Sequence, residues 1–99
     1  ELIAQDNYLL GVIDREIVAQ GLIEDETAEV GILSGIYVSP KYRKHGFGEI
    51  ISCELTRILL KRQKKPYLFV KDNNPTARAL YDKIGYKAIK SYKLLTINY

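Results

Sequence analysis

The chain has 99 residues, a net charge of +3 and one cysteine, and 46% of its residues are hydrophobic. That length predicts a single domain, 1–99, whose one core buries very roughly two-thirds of the surface exposed on unfolding, and the apolar content argues against disorder. A lone cysteine excludes an intrachain disulfide and a cysteine-rich zinc site, and no apolar run approaches the roughly 18 residues of a membrane span.

The mild positive charge permits a small anionic ligand without demanding nucleic acid. No signal peptide is visible at the start, and a reducing, cytoplasmic setting is expected. Cys53 falls in an apolar helical stretch and is expected in the core, as free cysteines usually are. The chain begins at Glu1 and contains no methionine, as expected of a processed form, an excised domain or a chain with residues missing in front; the C-terminal portion of a longer chain is the expectation.

In chain order, "NYLLGVID" (7–14) and "EIVAQGLIE" (16–24) are apolar runs separated by Asp14 and Arg15, the pattern of a hairpin. "DET" (25–27) breaks the chain again before "AEVGILSGIYVS" (28–39). Three strands in a meander are predicted. Gly31 and Gly35 inside the third suggest a bulge or a close approach by another group. Pro40 stops that strand.

From Phe47 the apolar period changes to about 3.6, with Phe47, Ile51, Leu55, Ile58, Leu59 and Arg62 on one helical stripe. Lys61, Arg62, Lys64 and Lys65 crowd the end of this helix, where cations suit the negative end of its dipole, and Pro66 is expected to close it. "PYLFV" (66–70) reads as a strand buried on both faces. In "DNNPTARALYDKIG" (72–85), Asn74 is the N-cap, Pro75 the first helical residue and Gly85 the left-handed C-terminal stop. Ala77, Leu80, Tyr81 and Ile84 form its buried face. "YKAIKSYKLLTINY" (86–99) is extended, as one long strand or two short ones. The order β-β-β-α-β-α-β implies an α+β fold with a mixed, mostly antiparallel sheet flanked by helices.

The junction "YRKHGFGEI" follows a strand and opens a helix. The first N–H groups of a helix lack carbonyl partners and carry the positive end of its dipole, so a phosphate there satisfies several donors. Glycine lets the phosphate approach, and Arg43, Lys44 and a protonated His45 supply charge. The pattern is not the G-x-G-x-x-G of a dinucleotide fold. It is not a P-loop either, because no Lys-Ser or Lys-Thr follows Gly48.

"IYVSPKYRKHGFGEII" followed by "LFVKDNNPTARALYDKIGYK" resembles the GNAT superfamily of acetyl-CoA-dependent N-acyltransferases. Arg43, Gly46 and Gly48 match its [RQ]-x-x-G-x-[GA] signature; Asn74, Ala77, Tyr81, Gly85 and Tyr86 match a second pattern. The resemblance covers residues 36 to 87. It implies a GNAT-like fold whose N-terminal strand and two helices are missing, because at most about six residues precede the first meander strand.

The resemblance further implies acetyl-CoA as cofactor, its pantetheine arm added like a strand to the backbones of Ile36, Tyr37 and Val38. Its pyrophosphate would rest on the amides of Arg43, Lys44, His45, Gly46, Phe47 and Gly48. Asn74 would contact the pantetheine arm beyond its capping role. Tyr81 would be the general acid that protonates the leaving thiolate, and the Val38 N–H would polarise the thioester. The acceptor would be a primary amine, unidentified, with Glu24, Glu29 or a water as base. No metal and no membrane are implied, and a homodimer or a missing N-terminal domain would complete the acceptor wall. Two other readings stay open: a coenzyme-binding domain without catalysis, and a basic nucleic-acid module built on "KRQKK" (61–65) with Tyr67.

Overall fold

A computed structural model describes residues 1–70, 74–88 and 94–97. Its strands are β1 (Leu2–Gln5), β2 (Tyr8–Ile13), β3 (Glu16–Glu26), β4 (Val30–Val38), β5 (Lys65–Phe69), β6 (Lys87–Ala88) and β7 (Leu94–Thr96), with helices α1 (Phe47–Lys61) and α2 (Pro75–Ile84). They form one seven-stranded sheet in the order β1-β2-β3-β4-β5-β7-β6. Only β4 and β5 pair in parallel; the other neighbours are antiparallel. The expected mixed, mostly antiparallel sheet is therefore present.

The meander has one more strand than the sequence pattern indicated. β1 is only four residues long and pairs with β2 from Leu2↔Gly11 to Gln5↔Tyr8. Asp6, at φ +55°, makes the tight turn. So short a run has no room to display an alternation. Between β2 and β3, Asp14 and Arg15 both take positive φ, +50° and +66°. That is the twist which lets a two-residue connection match the twist of its strands.

Both glycines in β4 have a structural cause. A Cβ on Gly31 would collide with the side chain of Leu59 on α1, so this is a close approach of helix to strand. Gly35 has φ +62° and stands where the β3–β4 register shifts, between the Gln20↔Tyr37 and Leu22↔Ser34 pairs. It is a bulge residue in a conformation that glycine adopts freely.

Helix α1 starts after Gly46 and buries Ile51, Leu55 and Leu59 as the stripe predicts, together with two polar residues, Ser52 and Thr56. It does not end at Pro66. Arg62 caps it and Gln63 turns out at φ +61°, whereas Pro66 is a buried residue of β5 opposite Gly31. Cys53 is exposed rather than in the core; two residues beyond Ile51 is about 200° around the helix, on its far side.

Helix α2 matches its sequence punctuation. Asn74 Oδ1 accepts from the Ala77 N–H at 3.1 Å, Pro75 follows, and Gly85 closes the helix at φ +108°. α2 lies beside α1, with a Glu49–Lys83 ion pair across the two. Both helices therefore cover one face of the sheet, and Leu9, Ile23, Leu33, Leu68, Leu95, Tyr81 and Tyr86 fill the layer with α1.

This arrangement overturns the expectation that β5 is buried on both faces. Its residues alternate: Pro66 and Leu68 are buried, while Phe69 is 62% exposed on the sheet face away from the helices. Tyr8 is likewise 58% exposed. The stretch 86–99 contains two short paired strands, β6 and β7; 89–93, 98 and 99 lie outside the described residues.

Candidate functional site

The site begins where β4 stops. Pro40 opens a single 3₁₀ turn, Pro40–Tyr42, then Lys44 at φ +65° and Gly46 at φ +85° reverse the chain into α1. Gly46 is the N-cap and supplies no side-chain hydrogen bond, in contrast to Asn74 on α2. The first bond into the helix is from the Ile50 N–H to the Gly46 carbonyl at 3.0 Å. Among the described residues, no N–H from Lys44 to Glu49 donates a hydrogen bond. These amides lie at the positive end of a fifteen-residue helix, a setting that favours negative charge.

Space is available above it. A Cβ on Gly46 would meet nothing within 4 Å. Arg43 holds the turn from the side: its Nε donates to the Val38 carbonyl at 2.9 Å, and its guanidinium lies 5.6 Å from the Tyr37 ring centre. The Arg43 N–H is already bonded to the Pro40 carbonyl at 3.3 Å. The available amides thus start at Lys44, one residue later than expected. His45 is exposed, with its ring 6.3 Å from that of Phe47.

The strand leading to this turn has one open edge. β4 and β5 pair from Val30↔Lys65 to Leu33↔Leu68 and no further, although β4 runs on to Val38. The Ser39 N–H donates to the Val18 carbonyl at 2.7 Å, and Gln20 faces Tyr37. By the alternation of an antiparallel ladder, Tyr37 turns its backbone groups toward β3, whereas Ile36 and Val38 turn theirs to the open edge. Of the three backbones expected to receive an added strand, two are available and Tyr37 is not.

The splay opens a cleft of about 620 Å³, lined by β4 from Ile32 to Ile36, by Leu68, Phe69 and Val70, by Glu24, and by Asn74, Ala77 and Tyr81 of the α2 segment. The bulge at Gly35 lies on its wall. At the start of α1, Gly48 lies close to α2 and to the end of β4: a Cβ there would sit 3.6 Å from Leu80 and 3.7 Å from Val38. Glu24 therefore belongs to the cleft. Glu29 lies at the other end of β4, where its carbonyl accepts from the Lys65 N–H at 2.8 Å.

Tyr81 is 7% exposed. Burial pushes its hydroxyl above the ordinary tyrosine range, and the neighbouring Ser52 hydroxyl draws it partly back. The Tyr86 ring stands edge-on to it at 5.9 Å. Thr56 Oγ1 donates to the Ser52 carbonyl at 2.7 Å, so Tyr86, 2.6 Å away, must donate to Thr56. Ser52 was not singled out from sequence; the signal was a hydroxyl residue inside the apolar stripe of α1.

A second hollow, about 450 Å³, lies on the far side of α1 against Cys53, Arg57, Lys61, Ile84 and Ile97, and none of the predicted site residues lines it. The "KRQKK" cations are partly neutralised, because Arg62 and Lys64 both pair with Glu26 at 2.9 and 2.6 Å. Among the described residues no group of three His, Cys, Asp or Glu could hold a metal, and no helix is long and apolar enough to cross a membrane.

A splayed β4–β5 pair, leading through a glycine turn to a helix with unpaired amides, is the arrangement of the GNAT acyltransferase fold. The model for the FR47-like protein family matches residues 10–95, and the chain belongs to that GNAT-type family. Comparison with curated proteins gives no match. Among solved structures, the PaiA N-acetyltransferase of Thermoplasma acidophilum, in complex with coenzyme A, is 19% identical. It superposes with a TM-score of 0.80 over 93% of this chain and 60% of its own. A GNAT family acetyltransferase of Elizabethkingia anophelis with acetyl-CoA bound gives 0.84 at 16% identity, over 93% and 75%. The ribosomal-protein-S18-alanine N-acetyltransferase of Escherichia coli gives 0.75 at 21% identity, over 90% and 64%. At these identities the likeness establishes the fold. The chain spans 60% to 75% of the length of these three proteins.

Proposed function

We propose that this domain binds acetyl-CoA and transfers its acetyl group to a primary amine by direct attack within a ternary complex. The observation that carries the reading is the continuity of an unpaired strand edge, at Ile36 and Val38, with unpaired helix-terminal amides at Lys44–Glu49. The residues fit such a molecule: amides and Arg43 for a diphosphate, an open β edge for an amide-bearing arm, and an open space at Gly46. The coenzyme supplies a thioester, an activated acyl group on a good leaving group. Similar proteins that bind coenzyme A or acetyl-CoA share this fold.

The chain's own contribution is orientation, polarisation and a proton. Ile36 and Val38 fix the donor along β4, and holding donor and acceptor in register supplies much of the acceleration. The Val38 N–H, on the open edge, polarises the thioester carbonyl. Asn74 uses Oδ1 as a cap, which leaves its Nδ2 as a donor to the cleft. Tyr81 is the general acid: burial keeps its phenol protonated at neutral pH, ready to protonate the departing sulfur. Glu24, on the cleft wall, is the carboxylate placed to take a proton from the amine.

Replacing Tyr81 with phenylalanine should lower kcat by about 100-fold, as for loss of a general acid, with acetyl-CoA affinity by calorimetry unchanged. A Tyr81→Phe variant that releases coenzyme A thiol at the normal rate would remove the assignment. A second reading is favoured by the bare sheet face carrying Tyr8 and Phe69: coenzyme binding without catalysis by this segment alone. Calorimetric binding with no thiol release on any primary amine would select it.

A further inference from the structure

Ser52 carries the most unusual polar group in the molecule. Its side chain is 0% exposed, and its Oγ makes no hydrogen bond. A buried hydroxyl without a partner is costly and uncommon. Its hydroxyl neighbours the Tyr81 phenol, and α1 and α2 are in contact one turn before it, where Gly48 faces Leu80 and Glu49 pairs with Lys83. Its carbonyl is held by Thr56, and Thr56 is held by Tyr86, whose ring stands against that of Tyr81. The backbone of Ser52 is thus tied, while its hydroxyl lacks a well-formed hydrogen bond and has the Tyr81 phenol as its polar neighbour.

We propose that Ser52 is a positioning residue for the general acid, its hydroxyl being the donor that receives the Tyr81 oxygen as that oxygen becomes negative. The inference rests on the acid role given to Tyr81 above. As the C–S bond breaks and the C–N bond forms, the Tyr81 O–H proton passes to sulfur. The amine's surplus proton leaves to water or Glu24. The phenolate left behind is buried beside the Tyr86 ring, and the Ser52 O–H, donating without transferring its proton, is the group on α1 able to stabilise it. Water then reprotonates the phenolate. Among the described residues, the other titratable groups around Tyr81 are Tyr86, whose ring stands against it, Glu24 across the cleft, and Glu49 and Lys83, paired with each other one turn away. Of these only Tyr86 is a neutral donor, and its hydroxyl donates to Thr56.

The test reads Tyr81 itself, so it needs no acceptor amine. Alkaline ultraviolet titration of the 99-residue chain minus that of Tyr81→Phe isolates one phenol among eight. Repeating the difference with Ser52→Ala present in both should move the Tyr81 midpoint up by about half to one pH unit, the size of one lost hydrogen bond. Ser52→Cys, similar in size and a weaker donor, should fall between. An unchanged midpoint in Ser52→Ala would overturn the proposal, as would equal shifts in Ser52→Ala and Ser52→Cys. The separate question of whether Tyr81 is the acid is decided by thiol release from acetyl-CoA with primary amines: there Ser52→Ala should slow turnover only when Tyr81 is present. Normal turnover of Tyr81→Phe would sink the acid role while leaving the titration result standing.

Discussion

Arg43 Nε donates to the Val38 carbonyl at 2.9 Å, tying the signature turn to the last residue of the strand before it. The same bond occupies one acceptor on the open edge of β4, so the edge offers an added strand the Val38 N–H and the Ile36 groups. Arg43 thus holds the turn, and under the proposed function it also faces the diphosphate. Arg43→Ala should weaken acetyl-CoA binding by roughly tenfold or more, the scale of one charge-assisted hydrogen bond. Arg43→Lys keeps the charge but lacks the guanidinium fork, so it should recover only part of the loss. Calorimetry at fixed salt reads both; equal affinity of all three proteins would contradict the role.

The two glycines of the turn should respond differently. Gly46 is at φ +85°, so alanine there is strained whatever the space around it, and a loss of about 1 kcal/mol is expected. Gly48 has room for a Cβ at ordinary contact distance from Leu80 and Val38, and alanine favours helices by up to about 1 kcal/mol over glycine. Thermal melts of Gly46→Ala and Gly48→Ala should therefore move in opposite directions, or the second not at all. A larger loss at Gly48 would mean that the turn is misread.

Glu26 is hydrogen-bonded by Lys64 and by Arg62, in that order of effect, and both hold its carboxyl below the ordinary glutamate value. Its side chain is 18% exposed, so the network is worth about 1 kcal/mol at most. A carboxylate with a depressed folded-state pKa stabilises the fold above its unfolded pKa, about 4.3, and that contribution disappears as pH falls through the lower folded-state value. Urea melts of Glu26→Gln should show the deficit at pH 7 and its closure below about pH 4. A deficit that persists into strong acid would make Glu26 a packing residue.

Much of this fold was legible because punctuation and period agreed. Asn74, Pro75 and Gly85 bound α2 by chemistry that acts within a few residues, and Gly31 and Gly35 marked a close approach and a bulge. The failures lie where partners distant in sequence decide. Phe69 and Leu68 look alike in a run of apolar letters, and only the placement of both described helices on one face of the sheet separates them. Cys53 was misassigned by composition, although its angle around α1 from Ile51 would have placed it outside. Tyr37 could be excluded as an open backbone only once its pairing with Gln20 was known. Ser52 reads as a minor interruption of a stripe until α2 brings Tyr81 beside it.

The central claim is that the unpaired amides opening α1 grip the diphosphate of coenzyme A. Titrating the ¹⁵N-labelled chain with coenzyme A, and following every backbone amide by NMR, tests it most directly. The largest shifts should fall on Lys44 to Glu49, with a second group at Ile36 and Val38 and little change at Tyr37. Shifts gathered instead around Cys53, Arg57 and Ile97, with the amides of Lys44 to Glu49 unmoved, would contradict it.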